Sequence, residues 1–194
     1  MSGVLCALLL LLWTSWPTSA DEPKRLTAIL LVARPELQGG DFAGAVVLVM
    51  NNLGPAPIGV VINRPTQVPV SRLFPYLKQL APLHDKLYFG GPVAVGAVSF
   101  LFHADKPPER ATRVIEGVYF STSRDLLMEL LGRDKPMEQL RIFVGYSGWA
   151  PGQLEAEIER GDWTLAPANV DAIFGRKSEH PWPEQSAPDA AHRS

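Results

Sequence analysis

The segment of residues 145–157, GYSGWAPGQLEAE, constrains the fold more than any other part of the sequence. Its three glycines lie beside Tyr146 and Trp149, and an acidic stretch typical of a helix follows directly. Glycine allows close approach of two chain segments, and tryptophan fills a large core volume. Two interpretations stay open: the amides of residues 148–152 converge on an anion at a helix start, or the glycines permit close strand–helix packing around Trp149. We favour the packing interpretation.

The same segment contains a serine, but the sequence does not support a catalytic role for it. A hydrolase nucleophile elbow requires glycine two residues before and two residues after the serine. Gly145 meets the first requirement for Ser147, but Trp149 occupies the second position. No spacing ties His84 or His103 to this serine or to a set of metal ligands. We therefore predict no catalytic residue, no metal ion and no cofactor.

The amino-terminal segment has the pattern of a signal peptide. Residues 1–20 carry no charged side chain, and residues 4–13 form an unbroken apolar run. This run is shorter than the roughly 20 apolar residues that span a bilayer, and small residues before Asp21 fit a cleavage site. We predict a signal peptide over residues 1–20 and export, to the periplasm. An uncleaved leader, which would be the chain's contact with a membrane, and a misplaced start codon are the alternatives.

The remaining sequence indicates one domain. Residues 21–175 are long enough to bury a core, and residues 176–194 are rich in proline, serine, alanine and charge. We predict that residues 176–194 form a disordered tail. The formal net charge is −2, and no block of like charges stands out. This balance argues against a nucleic-acid partner, because such proteins carry a basic patch.

Apolar runs and spacing predict an α+β fold with a strongly curved or barrel-like sheet. The predicted strands cover residues 26–33, 45–50, 58–62, 87–89, 98–102, 118–120 and 140–144. The predicted helices cover residues 70–80, with a break at Pro75, residues 125–131, with Thr122 as N-cap, residues 151–160 and residues 170–174. The first two strands are continuous apolar runs, so we expect both of their faces to be buried.

Glycine, arginine and aromatic residues gather at the predicted ends of these elements. The candidate ligand-binding residues are Arg34, Asn63, Arg64, Gly90, Gly91, Ser123, Arg124, Tyr146 and Trp149. The three arginines among them end strands or begin a helix, so they are able to converge on one anion. For the helix start at residues 122–125, a capped helix with a solvated arginine explains the residue types as well as an anion site does.

Four motifs taken in order resemble the AlgH/YqgE family of bacterial proteins over residues 26–174. They are LLVARPELQGGDFAGAVVLV, IGVVINRPT, YFGGPV with YFSTSRD, and GYSGWAPGQLEAE followed by Trp163-x-x-Ala-Pro. The resemblance implies an α+β domain with a bifurcated, partly barrel-like sheet surrounded by a few helices. It brings no established catalytic residue or cofactor. Family members are mostly cytoplasmic and carry a transcriptional-regulator label, and they have a polar segment with histidine where this chain has MNNL at residues 50–53.

These observations lead to three hypotheses of function. The first is a non-enzymatic binding or regulatory accessory domain that engages an unidentified protein or a small anionic ligand through the candidate residues above. The second is an enzyme of unknown class, with Arg64, Arg124, Tyr146 and Ser147 in a pocket near a carboxylate. The third is a transcriptional regulator, which requires a basic DNA-binding surface and retention in the cytoplasm. The first is the expected function.

Overall fold

The computed structural model describes residues 28–35, 37 and 40–175. These residues form a curled β-sheet, which is the main part of the fold, and three α-helices. The elements, in chain order, are β1 (Ala28–Ala33), β2 (Val46–Met50), β3 (Ile58–Val61), β4 (Pro65–Pro69), β5 (Lys86–Phe89), β6 (Val93–His103), β7 (Thr112–Ile115), β8 (Val118–Ser121), α1 (Arg124–Leu131), β9 (Leu140–Gly148), α2 (Gln153–Glu159), β10 (Trp163–Ala166) and α3 (Val170–Phe174). The α+β prediction is confirmed.

Strand β9 is where the sheet branches. The main path runs β10-β1-β2-β3-β9-β6-β8-β7, and every neighbouring pair along it is antiparallel. Off this path, β5 pairs parallel with β9 and antiparallel with β4. The end of β9 pairs with β3 at Ser147 and Gly148, and its earlier residues pair with β5 and β6. One strand thus joins the two parts of the sheet.

Apolar side chains fill three buried clusters, and β1 and β2 contribute to two of them. Leu30 and Leu48 face one cluster, and their neighbours Leu31 and Val47 face another. All five residues of β2 are buried, which confirms that continuous apolar runs mark strands covered on both faces. The second of the three clusters lies under α1, and α2 packs its Leu154 into the third.

The predicted helix over residues 70–80 was wrong. Two short 3-10 turns, Val70–Arg72 and Lys78–Leu80, lie on either side of Pro75. Proline lacks the amide hydrogen that an α-helix needs, so the apolar spacing here places side chains in the core without a continuous helix. The N-cap of α1 is Ser123 rather than Thr122, because the Ser123 hydroxyl accepts the amide of Leu126 at 3.4 Å.

Two further differences concern strands. The glycine-rich residues 145–148 lie inside β9 rather than in a turn. Three strands had no counterpart among the predicted ones: β4, β7 and β10. Each has five residues or fewer and is partly exposed, so it lacks the continuous apolar pattern of a strand buried on both faces.

The predicted signal peptide, residues 1–20, and the predicted disordered tail, residues 176–194, lie outside the described residues. Among the helices that the structure does describe, none is both long enough and apolar enough to cross a bilayer.

Candidate functional site

Gly90 and Gly91 lie against Gly145 where β5 ends beside β9. The Gly90 amide donates to the carbonyl of Val144 at 2.9 Å. A Cβ built on Gly90 would lie 2.2 Å from the Gly145 carbonyl oxygen, and one built on Gly145 would lie 2.3 Å from that of Gly91. Real Cβ atoms do not approach so closely, so only glycine fits here. The glycines allow two strands to touch, instead of the strand–helix contact that the packing interpretation predicted.

The neighbouring Ser147 and Tyr146 serve this same contact. Ser147 is fully buried, and its hydroxyl donates to the Gly90 carbonyl at 3.2 Å. Tyr146 pairs with Val93 across β9 and β6. The buried serine hydroxyl thereby has a hydrogen-bond partner, on a carbonyl that also accepts the Val61 amide at 2.9 Å, which is a structural role.

Two of the amides in residues 148–152 are bound by other groups of the protein. The Trp149 amide donates to the carbonyl of Pro57 at 3.4 Å, and the Ala150 amide donates to Oε1 of Gln153 at 3.1 Å. Helix α2 has seven residues and begins only after Gly152, which has φ 77°. The protein itself thus occupies these donors, and Trp149 packs in the core as the favoured interpretation predicted.

The Glu157 carboxylate holds an aromatic cluster together. It accepts the indole N–H of Trp149 and that of Trp163, each at 2.9 Å, and the side-chain amide Nε2 of Gln153, also at 2.9 Å. Both tryptophans are at least 95% buried. The centroid of the Phe42 ring lies 6.4 Å from that of Trp149 and 5.6 Å from that of Trp163. Sequence reasoning missed this carboxylate, although a glutamate four residues after a helix-starting Gln153 is a sign of a paired side chain.

Asn63 and Arg64 bind the loop before β2. Asn63 accepts the Val46 amide through Oδ1 and donates to the Gly44 carbonyl through Nδ2, each at 2.9 Å. The Arg64 guanidinium donates to the carbonyls of Asp41 and Ala43, the latter at 2.7 Å. Both predicted ligand-binding side chains therefore hold backbone groups of the protein.

Replacing Asn63 with alanine tests this assignment. We expect Asn63→Ala to lower the free energy of unfolding by about 1–2 kcal/mol, because it removes two hydrogen bonds, one to the Val46 amide. Native-state hydrogen exchange measured by NMR should show faster exchange at Val46. The Ala104 amide, which donates to the Gly117 carbonyl and lies away from this loop, is the internal control. Unchanged exchange at Val46 would contradict the role assigned to Asn63.

The other predicted residues lie in separate surroundings. Arg34 Nε donates to Oγ1 of Thr164 at 3.3 Å, and Arg124 donates to the hydroxyl of Tyr76 at 3.3 Å. That hydrogen bond raises the pKa of Arg124 above the ordinary arginine value. The start of α1 is capped as predicted, but by Ser123 and not by Thr122. These contacts do not bring the guanidinium groups of residues 34, 64 and 124 together on one anion.

A cleft lies elsewhere, beside the start of β9, and we call it the Arg141 cleft. Its volume is about 490 Å³. Its lining residues are Pro65, His84, Asp85, Lys86, Tyr88, Met137, Gln139, Leu140, Arg141 and Phe174. None of the nine predicted ligand-binding residues belongs to this lining.

Arg141 is a buried cation in the wall of this cleft. It is only 5% exposed, and its guanidinium donates to the carbonyls of Ile62 at 2.7 Å and Gly175 at 3.4 Å. Its guanidinium carbon lies 4.7 Å from the centroid of the Tyr88 ring, in a cation–π contact. Sequence reasoning missed this residue, yet a charged side chain inside the apolar strand LRIFV was a visible signal.

Comparisons with known proteins identify the family. A family model described as AlgH-like (DUF179) matches residues 30–187. The chain belongs to the AlgH-like family. A UPF0301 protein of Methylococcus capsulatus is 37% identical over 158 residues, covering 79% of this chain and 86% of the relative. A UPF0301 protein of Pseudomonas fluorescens is 33% identical and covers 81% of this chain and 85% of its own length.

Solved structures agree with the AlgH-like assignment. The solution structure of the AlgH protein from Pseudomonas aeruginosa superposes with a TM-score of 0.63 at 29% identity, covering 79% of this chain and 83% of that one. A crystal structure of a Corynebacterium diphtheriae protein gives a TM-score of 0.61 at 30% identity, covering 79% and 81%. The resemblance that the four motifs indicated is therefore confirmed for this AlgH-like chain.

Proposed function

We propose that this AlgH-like chain is a non-enzymatic binding domain and that it binds a small anionic ligand in the Arg141 cleft. The observation that supports the proposal is the guanidinium of Arg141, a buried positive charge in the wall of a cleft of about 490 Å³. Cavities of this size hold small ligands, and a few well-placed polar groups in them determine which ligand binds. Arg141 is a polar group of this kind.

The charges of the lining favour an anion. Arg141 and Lys86 are the basic side chains with a guanidinium or ammonium group, and Asp85 is the one acidic side chain, among the described lining residues. A charge in a water-excluded wall attracts an opposite charge more strongly than the same charge in water does. The two carbonyl contacts and the Tyr88 ring fix the guanidinium of Arg141, so little reorganisation accompanies binding.

The lining, as far as the structure describes it, lacks the nucleophiles of serine-type and cysteine-type hydrolases, although it contains His84, Asp85 and Lys86. Its described residues include no serine, threonine or cysteine, the usual side-chain nucleophiles. The four residues of the enzyme hypothesis lie outside it: Arg64, Arg124, Tyr146 and Ser147. Ser147 is fully buried, and its hydroxyl donates to the carbonyl of Gly90, which is not a general base. The binding hypothesis therefore has the better physical support.

Inorganic phosphate is a suitable first probe. We expect phosphate, added to the full chain at constant ionic strength, to shift the backbone amide NMR signals of residues 84–88 and 139–141. The exposed Lys86→Gln variant should weaken this binding about fivefold, since one surface charge contributes about 1 kcal/mol at contact distance. The matched control is Lys106→Gln, an exposed lysine outside the cleft lining.

Two results would contradict the proposal. One is the absence of saturable shifts at the cleft amides. The other is an equal loss of affinity in Lys86→Gln and Lys106→Gln, because that would reflect general charge and not a site. Arg141→Lys retains the positive charge of the buried side chain but not its planar geometry, so it should weaken phosphate binding more than Lys86→Gln does.

A further inference from the structure

We infer that the Arg141 cleft takes an organic anion, in which a carboxylate or phosphate head is attached to an apolar body. This inference rests on the proposed anion binding and states which kind of anion binds. The cleft of about 490 Å³ lies in the range of sites for small organic molecules, roughly 300–1,000 Å³. A bare inorganic ion would leave most of that volume to water.

The lining has the composition that an amphiphilic anion requires. Half of the ten described lining residues are apolar or aromatic: Pro65, Tyr88, Met137, Leu140 and Phe174. The other half supplies charge and hydrogen bonds: His84, Asp85, Lys86, Gln139 and Arg141. Apolar surface that a ligand covers is removed from water, so the body of the ligand contributes to affinity along with its head.

The fold holds both kinds of group in position. Tyr88 on β5 pairs with Phe143 on β9, two residues after Arg141, so both strands are fixed by a parallel ladder. Tyr88 is 8% exposed and also packs on the Phe143 ring, with 5.8 Å between centroids. Phe174 lies on α3, just before the Gly175 carbonyl that Arg141 contacts. The apolar groups therefore stand beside the guanidinium on rigid elements.

Three probes separate the head from the body: inorganic phosphate, phenyl phosphate and benzyl alcohol. We expect phenyl phosphate to bind the full chain about tenfold more tightly than inorganic phosphate, because burying an aromatic ring contributes roughly a factor of ten or more. Benzyl alcohol, which has the ring without the charge, should give no saturable shifts in the same NMR titration. Benzoate and acetate, a carboxylate with a ring and one without, form a second pair for the same comparison of affinities.

A methionine pair tests the apolar wall. Met137→Gln should weaken phenyl phosphate several-fold and leave inorganic phosphate unchanged, since the substitution keeps the side-chain length and removes apolar surface. Met128→Gln on α1 is the matched control, because Met128 is also half-buried but lies outside the cleft lining. Equal effects of the two variants on phenyl phosphate would overturn the assignment of the apolar wall.

The outcomes distinguish this inference from the function on which it rests. Equal affinities for phenyl phosphate and inorganic phosphate, both weakened by Lys86→Gln, would overturn the organic-anion inference and leave the anion site intact. Failure of both phosphates to bind would overturn the two proposals together. Tight binding of benzyl alcohol that Lys86→Gln leaves unchanged would show an apolar site and would likewise overturn both.

Discussion

Gly145→Ala is expected to lower the free energy of unfolding by about 2–5 kcal/mol or to prevent folding altogether. Gly145 has φ 71°, a conformation that costs residues with a Cβ about 1–2 kcal/mol. The new Cβ would also lie 2.3 Å from the Gly91 carbonyl oxygen and 3.1 Å from that of Val93. Forcing strands apart in a packed interior adds about 1–3 kcal/mol. Chemical denaturation followed by tryptophan fluorescence measures the sum.

Two other glycines separate the backbone strain from the collision. Gly152 has φ 77° but nothing within 4 Å of its built Cβ, so Gly152→Ala should cost about 1–2 kcal/mol from strain alone. Gly96 has open space and no positive φ, so Gly96→Ala should change stability by less than about 0.5 kcal/mol. If Gly145→Ala costs no more than Gly152→Ala, the close contact of Gly145 with the carbonyls of Gly91 and Val93 is absent in solution.

The same glycine contact affects the proposed binding site. It lies at the end of the parallel β5–β9 ladder, which includes the Tyr88–Phe143 pair. Tyr88 stacks under Arg141, which precedes Phe143 by two residues on β9. A collision that moves the two strands apart would displace this ring from the guanidinium. The glycine-rich segment that begins at Gly145 therefore helps to position Arg141 in the cleft wall, four residues earlier on the chain.

The parts of the fold predicted from sequence are those with a local cause. Continuous apolar runs identified β1 and β2, and helical spacing with a hydroxyl-bearing N-cap identified α1 to within one residue of its start. The strands β4 and β10 pair with partners that are distant in sequence, whereas β7 pairs with the next strand, β8, and was missed because it is short and of mixed polarity. Short strands of mixed polarity have no periodicity that distinguishes them from loops.

The site illustrates the same limit. An arginine beside a turn has the same sequence pattern whether it binds a ligand or a carbonyl of its own chain, and for Arg64 the acceptors lie 21 and 23 residues away. Arg141 was missed because it lies within the run LRIFV, whose other residues are apolar and indicate a core strand. A buried charge is costly unless it has partners, so its position inside a strand indicated a special role. The export prediction stays a prediction, since residues 1–27 lie outside the described chain.

Glu157→Ala is expected to lower the free energy of unfolding by about 2–4 kcal/mol. The substitution removes the acceptor of two indole N–H groups, those of Trp149 and Trp163. Each indole is at least 95% buried, so water does not readily replace the carboxylate. A buried donor left without an acceptor costs about 1–3 kcal/mol, and a hydrogen bond to a charged group contributes more than a neutral one. Denaturant unfolding followed by circular dichroism measures the loss without relying on tryptophan emission.

Two glutamates on the same helix provide matched controls for this prediction. Glu155 and Glu159 are exposed, so their replacement by alanine should change stability by less than about 0.5 kcal/mol. Glu157→Gln keeps one amide oxygen as an acceptor, so its loss should lie between those of Glu157→Ala and the controls. A result for Glu157→Ala within the range of the controls would mean that the two indoles find other acceptors. In that case the carboxylate would not be what ties β10 and α2 to the end of β9.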